Sequence, residues 1–159
     1  MLNSNIMNRK NLSMYVDADS CPVKEEIIQL CQTYSVEMIF VSSYAHVMTL
    51  PSSVKQITVD TDKEAADLYI MNHIQRGDFC VTQDHALASL LLPRGAEILS
   101  PRGMMYTNEN IDQLLNVRYL SQKQRRMGGK TKGPKAFTEE DRRQFISSLE
   151  KILAKKEGL

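Results

Sequence analysis

The amino-acid sequence predicts an α/β fold of three layers, in which a mostly parallel sheet is covered by helices on both faces. One observation and one general rule of chain connection support this prediction. Short apolar segments with the length of buried strands alternate along the chain with longer segments that repeat with helical period. A helix between two strands returns the chain to the same end of the sheet, so strands connected in this way run parallel.

Five segments have the composition of strands. The first two are continuous apolar runs, which are typical of strands buried on both faces, and the third alternates Val, Ile and Val on one side. The last two are shorter runs of the same kind. The predicted strands are residues 12–16, 36–41, 54–59, 79–82 and 96–99.

The segments between these strands have helical period. In residues 22–34 the apolar side chains form one stripe, and Pro22 suits the first turn of a helix. The sequence from Thr138 to Asp141 resembles a capping box and precedes a closing helix at about 138–155. The other predicted helices are residues 63–75, residues 85–92 and a segment that contains Ile111, Leu114, Leu115 and Arg118.

The chain is expected to form one domain, at residues 13–159, after a polar and Asn-rich leader at 1–12 that is expected to be disordered. No apolar run approaches the roughly 18 residues that suggest a membrane span. The three cysteines include no CxxC pair, which favours reduced thiols. These features predict a cytoplasmic protein without membrane association.

The net charge of +1 hides an asymmetry. Residues 1–117 contain 14 Asp or Glu and 8 Lys or Arg, and therefore carry a net charge of −6. Residues 118–135 contain seven cations and no acid, and they include two glycine-containing pairs, Gly128-Gly129 and Gly133-Pro134. This composition predicts a basic loop, which either binds the phosphates of a nucleic acid or is simply a solvated linker.

Carboxylates follow several of the predicted strands. Asp17 and Asp19 follow the first strand and Asp84 follows the fourth, while Asp60 and Asp62 follow the third. Ligands of parallel sheets bind beyond the carboxyl ends of the strands, so these acids are expected at the edge where a site would form. Several uncompensated carboxylates at one edge would repel each other unless a cation joined them.

Asp67 adds to this group because of its place in a predicted helix. With a step of about 100° per residue, it falls inside the stripe formed by Ala66, Ile70, Ile74 and Met71, between the last two. A carboxylate that faces a core needs a partner or a metal. Glu64 falls on the margin of the same stripe.

Each acid also has a simpler interpretation. Asp19 with Ser20 could cap the first helix, and Asp84 alone could cap the helix that follows it. Asp60 and Asp62 are interpreted as turn or cap residues. Cys21 lies near a predicted helix start, where a thiol can have a lowered pKa, but no histidine is nearby in sequence and a structural role is expected.

The sequence resembles the bacterial YaiI/YqxD family along almost its whole length. The motifs that carry this resemblance occur in order along the chain. They are Val16-Asp-Ala-Asp-Ser-Cys-Pro-Val-Lys24, Ala65-Ala-Asp67, Gly77-Asp78 before Val81-Thr-Gln-Asp84, Ser100-Pro-Arg-Gly103, and Gly133-Pro134 before Phe137-Thr138.

That family in turn resembles the PIN and NYN nucleases, which hold Mg²⁺ or Mn²⁺ in an acidic cluster and cut RNA. The resemblance implies a PIN-like fold and matches Asp17, Asp67 and Asp84 to acids of that cluster. The sequence departs from the pattern in two places. Glu64 stands where relatives have Asp, and Leu68 stands where a second acid often follows Asp67.

The predicted function is therefore hydrolysis of RNA phosphodiesters with Mg²⁺ or Mn²⁺. The predicted catalytic residues are Asp17, Asp19, Asp67 and Asp84, and the predicted metal ligands are Asp17, Asp67, Asp84 and Glu64. The predicted nucleic-acid-binding residues are Arg118, Lys123, Arg125, Arg126, Lys130, Lys132 and Lys135.

Two alternatives remain open on the sequence. A PIN-like fold with a degenerate site could bind RNA or protein without cutting, and the departure at Leu68 favours this. Asp17-x-Asp19 also resembles the nucleophile and acid of haloacid-dehalogenase phosphatases, in which Asp17 would attack phosphorus. Cys21 stands where those enzymes have Thr, so this alternative ranks third.

Overall fold

The computed structural model of the protein describes residues 11–44, 48–62, 64–129 and 135–157. Five strands in this part of the chain form one sheet in the order β3-β2-β1-β4-β5, and every neighbouring pair of strands is parallel. The predicted parallel α/β sheet is confirmed. The strands are β1 (Ser13–Asp17), β2 (Glu37–Ser43), β3 (Val54–Val59), β4 (Phe79–Val81) and β5 (Glu97–Leu99).

Helices cover both faces of the sheet, so the three-layer arrangement is also confirmed. Core clusters place α1 and α5 on one face, and α2, α3 and the beginning of α4 on the other. No helix in the described ranges is long and apolar enough to cross a membrane. The helices are α1 (Lys24–Thr33), α2 (Ala65–His73), α3 (His85–Leu91), α4 (Asn108–Arg126) and α5 (Glu139–Lys156), with a 3₁₀ turn at Leu92–Arg94.

The continuous apolar sequence of the central strands follows from this double coverage. Met14 and Val16 of β1 join the core under α1 and α5, whereas Tyr15 joins the core under α2 and α3. Successive side chains of a strand point to opposite faces, so a strand covered on both faces needs an apolar residue at every position.

The prediction of a basic loop at 118–135 is wrong for its first half, because α4 continues to Arg126. Residues 117–126 contain two Gln, one Lys, three Arg and one Leu, all of which favour helix, and no Gly or Pro interrupts them. The helix ends just before Gly128, which has a φ of 82°. Residues 130–134 and most of the predicted leader, residues 1–10, lie outside the described part of the chain.

The predicted closing helix is present as α5, and Thr138 and Asp141 form the predicted capping box. This helix packs against Gly103, whose φ is 91° and where an added Cβ would lie 2.7 Å from backbone atoms of Gln144. Ser148 Oγ donates a hydrogen bond to the Gly103 carbonyl at 2.7 Å. Only glycine fits this close approach.

Two arginines fix the position of α5. Arg102 donates to the Asp141 carboxylate at 2.5 Å, which gives the Ser100-Pro-Arg-Gly103 motif a structural role. Arg142 reaches the loop after β1, where its Nη1 donates to the Pro22 carbonyl at 3.1 Å and to Glu26 Oε1 at 2.9 Å. The closing helix therefore supports the loop that follows Asp17.

Candidate active site

The sheet order places a crevice between β1 and β4. In the strand order 3-2-1-4-5, β2 and β3 follow on one side of β1, and β4 and β5 lie on its other side, so the direction of the connections reverses between β1 and β4. Ligands of such folds bind beyond the carboxyl ends of the two strands at this point. The register pairs Val16 with Val81, so Asp17 and Thr82 follow at the same level. A cleft of about 450 Å³ opens at this point and is lined by Asp17, Ser20, Gln83, Asp84, His85, Leu114 and Val117.

Thr82 joins the two acids of the cleft. This residue is 1% exposed. Its Oγ1 donates to Asp17 Oδ2 at 3.0 Å and accepts from the Asp84 backbone N–H at 3.0 Å. The Thr82 carbonyl accepts from the Tyr106 hydroxyl at 3.1 Å. A buried threonine with both hydroxyl functions used holds Asp17 and the backbone of Asp84 in one fixed arrangement.

The environment of Asp17 disfavours its charged form. Burial raises the pKa of the Asp17 carboxyl, and the negative charges of Asp84 and Asp19 raise it further. The hydrogen bond from Thr82 acts in the opposite direction. A cation at the strand edge would relieve both the burial and the repulsion.

Asp84 is both a cleft residue and the N-cap of α3. Its Oδ1 accepts from the backbone N–H groups of Ala86 at 2.9 Å and Leu87 at 3.2 Å, so the predicted capping role is confirmed. A carboxylate has about four acceptor positions, so capping does not exclude metal binding by the same side chain.

Asp19 connects the loop after β1 to the end of β2. Its Oδ1 and Oδ2 lie 3.0 and 3.3 Å from the backbone nitrogen of Ser43, which donates to them. The alternative in which Asp19 or Ser20 caps α1 is wrong. The N-cap residue of α1 is Val23, and no side chain makes a capping hydrogen bond at this end of the helix. Asp19 is thus tied to β2, although its charge still acts on Asp17.

Asp67 and Glu64 occupy different environments. Asp67 is half-buried in the first turn of α2, and its charge raises the pKa of the buried Cys80 thiol, as does the charge of Asp17. Asp67 therefore faces the sheet, as its position in the apolar stripe predicted. Glu64 is the exposed N-cap of α2 and makes no side-chain cap.

The structure preassembles a pair of carboxylates and not the full predicted set. Among the residues that it describes, no three His, Cys, Asp or Glu side chains are arranged to hold a metal ion together. Asp17 and Asp84 both line the cleft and interact electrostatically. Mg²⁺ is commonly bound through one or two carboxylates and retains several waters, so this pair fits such an ion.

Comparison with known proteins identifies the family. The model of the uncharacterized BCR, YaiI/YqxD family matches residues 15–155. The chain belongs to the YaiI/YqxD family. A UPF0178 protein of Shouchella clausii is 57% identical over 145 residues, which cover 91% of this chain and 94% of that protein. A UPF0178 protein of Halalkalibacterium halodurans is 53% identical over 146 residues, which cover 92% of this chain and 93% of that protein.

One solved structure is similar at a greater distance. The crystal structure of a mutant of Rae1 (YacP) from Bacillus subtilis aligns with a TM-score of 0.39 and 17% identity, covering 91% of this chain and 99% of that one.

The cysteines of this YaiI/YqxD protein are structural. Cys21, Cys31 and Cys80 are buried and free. Burial raises the pKa of Cys21 to about 11, so its thiol is protonated at neutral pH. The alternative of a reactive thiolate at the start of α1 is wrong, because desolvation by burial is the largest effect on the Cys21 pKa.

Three residues near the acids were missing from the predicted site. Thr82 is part of the Thr82-Gln-Asp84 motif, and its position one residue after a buried strand could have identified it. His85 lines the cleft and contacts the Tyr106 ring edge-on, with ring centroids 5.7 Å apart. Tyr106 follows a loop whose path the sequence did not predict.

The described basic residues are exposed. Lys123, Arg125 and Arg126 lie on the second half of α4, and Lys135 precedes α5. The Arg118 side chain, Lys130 and Lys132 lie outside the described residues. RNA binding by the predicted basic set stays a prediction.

Proposed function

We propose that the protein is a divalent-metal-dependent nuclease that hydrolyses RNA phosphodiesters in the cleft between β1 and β4. The observation that carries this proposal is the arrangement of Asp17, Thr82 and Asp84 at the carboxyl edge of the sheet, the edge at which parallel sheets generally bind ligands. A half-buried acid beside two like charges, open to a cleft, is typical of a site completed by a cation.

The residues in and near the cleft would have different roles in binding the metal ion. Asp17 and Asp84 would hold Mg²⁺ or Mn²⁺, and Thr82 would keep the Asp17 carboxylate in a single orientation. Asp19 would add negative charge from the loop after β1, and Asp67 would add it from α2. A bound ion supplies a water of lowered pKa as nucleophile and offsets charge on the phosphate as it reacts.

The acidic edge cannot attract RNA by itself. Residues 1–117 carry a net charge of −6, so the phosphate backbone needs a separate basic surface. The second half of α4 begins at the cleft with Val117 and presents three exposed cations further along. This neighbouring helix supports RNA as the phosphodiester substrate.

The test is cleavage of an end-labelled single-stranded RNA with Mn²⁺, Mg²⁺ or EDTA. We expect cleavage by the wild type only with metal. Asp17→Asn should lose about 100-fold or more in rate, because a ligand charge at the centre of the site is removed. Asp67→Asn should lose about tenfold, the size expected of a supporting acid.

Asp62→Asn is the matched control, because Asp62 is an exposed acid outside the cleft. It should cleave like the wild type. A wild type that cuts no RNA with either metal would contradict the proposal, and so would an Asp17→Asn variant with full activity.

A second candidate is a YaiI/YqxD module that binds RNA without cutting it. The observation that favours it is that the described residues contain no group of three metal-ligating side chains. Under this alternative RNA would bind equally well with EDTA, and Mn²⁺ would leave both the RNA and the melting temperature unchanged.

A further inference from the structure

The second half of α4 leaves the body of the protein. In the first half Ile111 is buried and Leu114 and Leu115 pack into the core under α2 and α3. From Val117 onward large apolar side chains are exposed, with Val117 at 56% and Leu120 at 53%. We call residues 117–126 the α4 arm. An exposed helix face of this kind requires an explanation, because apolar patches on a surface mark interaction sites.

The charge of the α4 arm selects the partner. No Asp or Glu occurs between Asp112 and Glu139, and the arm carries Lys123, Arg125 and Arg126. Two such arms from two copies of the chain would repel each other at close range. A polyanion has the complementary charge, and its bases can cover apolar side chains.

The helical positions of the cations separate them into two groups. Leu114 and Val117 line the cleft and so mark the side of α4 that faces it. With about 100° per residue, Arg125 lies within about 60° of the middle of that side. Lys123 and Arg126 lie about 150° away from it on the same wheel.

The contact of the Arg125 side chain agrees with this position. Its Nε donates to the Ser121 carbonyl at 3.4 Å, one turn nearer the cleft. Side chains of a helix lean toward its N-terminus, and here that direction leads back along the arm to Val117 and the acids. Arg125 is exposed and keeps further N–H donors for a ligand.

We infer that the cleft-facing side of the α4 arm binds the single-stranded RNA that leads into the cleft, with Arg125 on a backbone phosphate and Val117 against a base. The identity of the ligand rests on the proposed function. Lys123 and Arg126, which the sequence groups with Arg125 as nucleic-acid-binding residues, face away from the strand and add only long-range attraction to it. A narrow row with one apolar contact and one cation suits a single strand with unstacked bases.

The experiment is fluorescence anisotropy with a short labelled single-stranded RNA in EDTA, so that no cleavage occurs. Arg125→Ala should weaken binding about five- to tenfold and reduce the salt slope by roughly 0.7. Lys123→Ala and Arg126→Ala remove the same charge from the same helix and should each change binding less than twofold. Val117→Ser should weaken binding about threefold without altering the salt slope.

Equal losses for Arg125→Ala and Lys123→Ala would overturn the inference, because the arm would then act only through total charge. Unchanged binding by Arg125→Ala would also overturn it. A wild type that sediments as a dimer and that Leu120→Glu converts to a monomer would show that a second copy covers the arm. Melting temperatures equal to the wild type confirm that the variants are folded.

The inference and the proposed function fail separately. Metal-dependent cleavage with no dependence on Arg125 would remove the inference and leave the nuclease proposal. RNA binding that depends on Arg125 and not on Lys123, without any cleavage, would keep the inference and favour the binding module.

Discussion

Asp17 and Asp78 lie at opposite ends of the same two strands, β1 and β4, and their partners differ. Asp78, at the amino end, is 1% exposed, and its oxygens accept from the backbone nitrogens of Ser13 at 3.1 Å and Gln75 at 2.9 Å. Asp17, at the carboxyl end, accepts from the hydroxyl of Thr82. One acid is held by backbone donors and the other lies in a cleft.

The electrostatic environment of Asp17 also differs from that of Asp78. The charges of Asp84 and Asp19 raise its pKa, so this end of the sheet concentrates negative charge. A buried carboxylate with backbone amide donors stabilises the fold around it, whereas a carboxylate among like charges is costly until a cation binds. Identical residue types thus serve structure at one edge and, we propose, chemistry at the other.

The largest expected effect is the loss of stability in Asp78→Asn, and it tests whether Asp78 has the structural role that Asp17 lacks. An amide offers one acceptor oxygen and one donor group, so one of the two backbone N–H groups loses its partner. We expect a loss of about 1–3 kcal/mol in the free energy of unfolding, measured by urea denaturation. Asp62→Asn, at an exposed turn, should be unchanged, and a fully stable Asp78→Asn would refute the structural role.

Asp17→Asn should have the opposite and smaller effect. In EDTA its melting temperature should exceed that of the wild type, because a member of a repelling group is neutralised. Mn²⁺ at ten times its dissociation constant should stabilise the wild type by about 1.4 kcal/mol and the variant far less. Equal responses of the two proteins to Mn²⁺ in thermal melts would argue against a cation at Asp17.

The smallest effect is the pH dependence of the stability difference between Asp17→Asn and the wild type in EDTA. The pKa of Asp17 is raised in the folded protein, so the cost of its charge is absent below the unfolded pKa of about 3.9 and grows as pH rises toward the folded value. The advantage of Asp17→Asn should therefore be small near pH 4 and reach a plateau above the folded pKa. An advantage that is constant over this range would have another cause.

Much of the fold could be predicted because the strands are covered on both faces. Double coverage gives continuous apolar runs in β1 and β2, and helical period marks the elements between them. The second half of α4 was missed because its exposed face has no core to impose an apolar stripe. The sequence prediction gave more weight to the positive charge of this segment, which suggested a loop, than to the helix propensity of its residues.

The site was predictable only as far as strand ends are visible in sequence. Asp17 and Asp84 follow strands, and parallel strands bring their carboxyl ends to one edge. The strand order that puts β1 beside β4 depends on long-range pairing, and so does the hydrogen bond between Thr82 and Asp17. The sequence could not show that Asp19 turns toward Ser43 at the end of β2, for the same reason.

The link from Arg142 to Pro22 and Glu26 has a consequence for the order of events on the ribosome. The loop after Asp17 is synthesised early, but the arginine that supports it belongs to the last helix. A nascent chain whose α5 has not yet emerged therefore lacks the hydrogen bonds that hold the loop between Asp17 and α1. Because synthesis begins at the N-terminus, this loop gains its support from Arg142 only after that residue has left the ribosome.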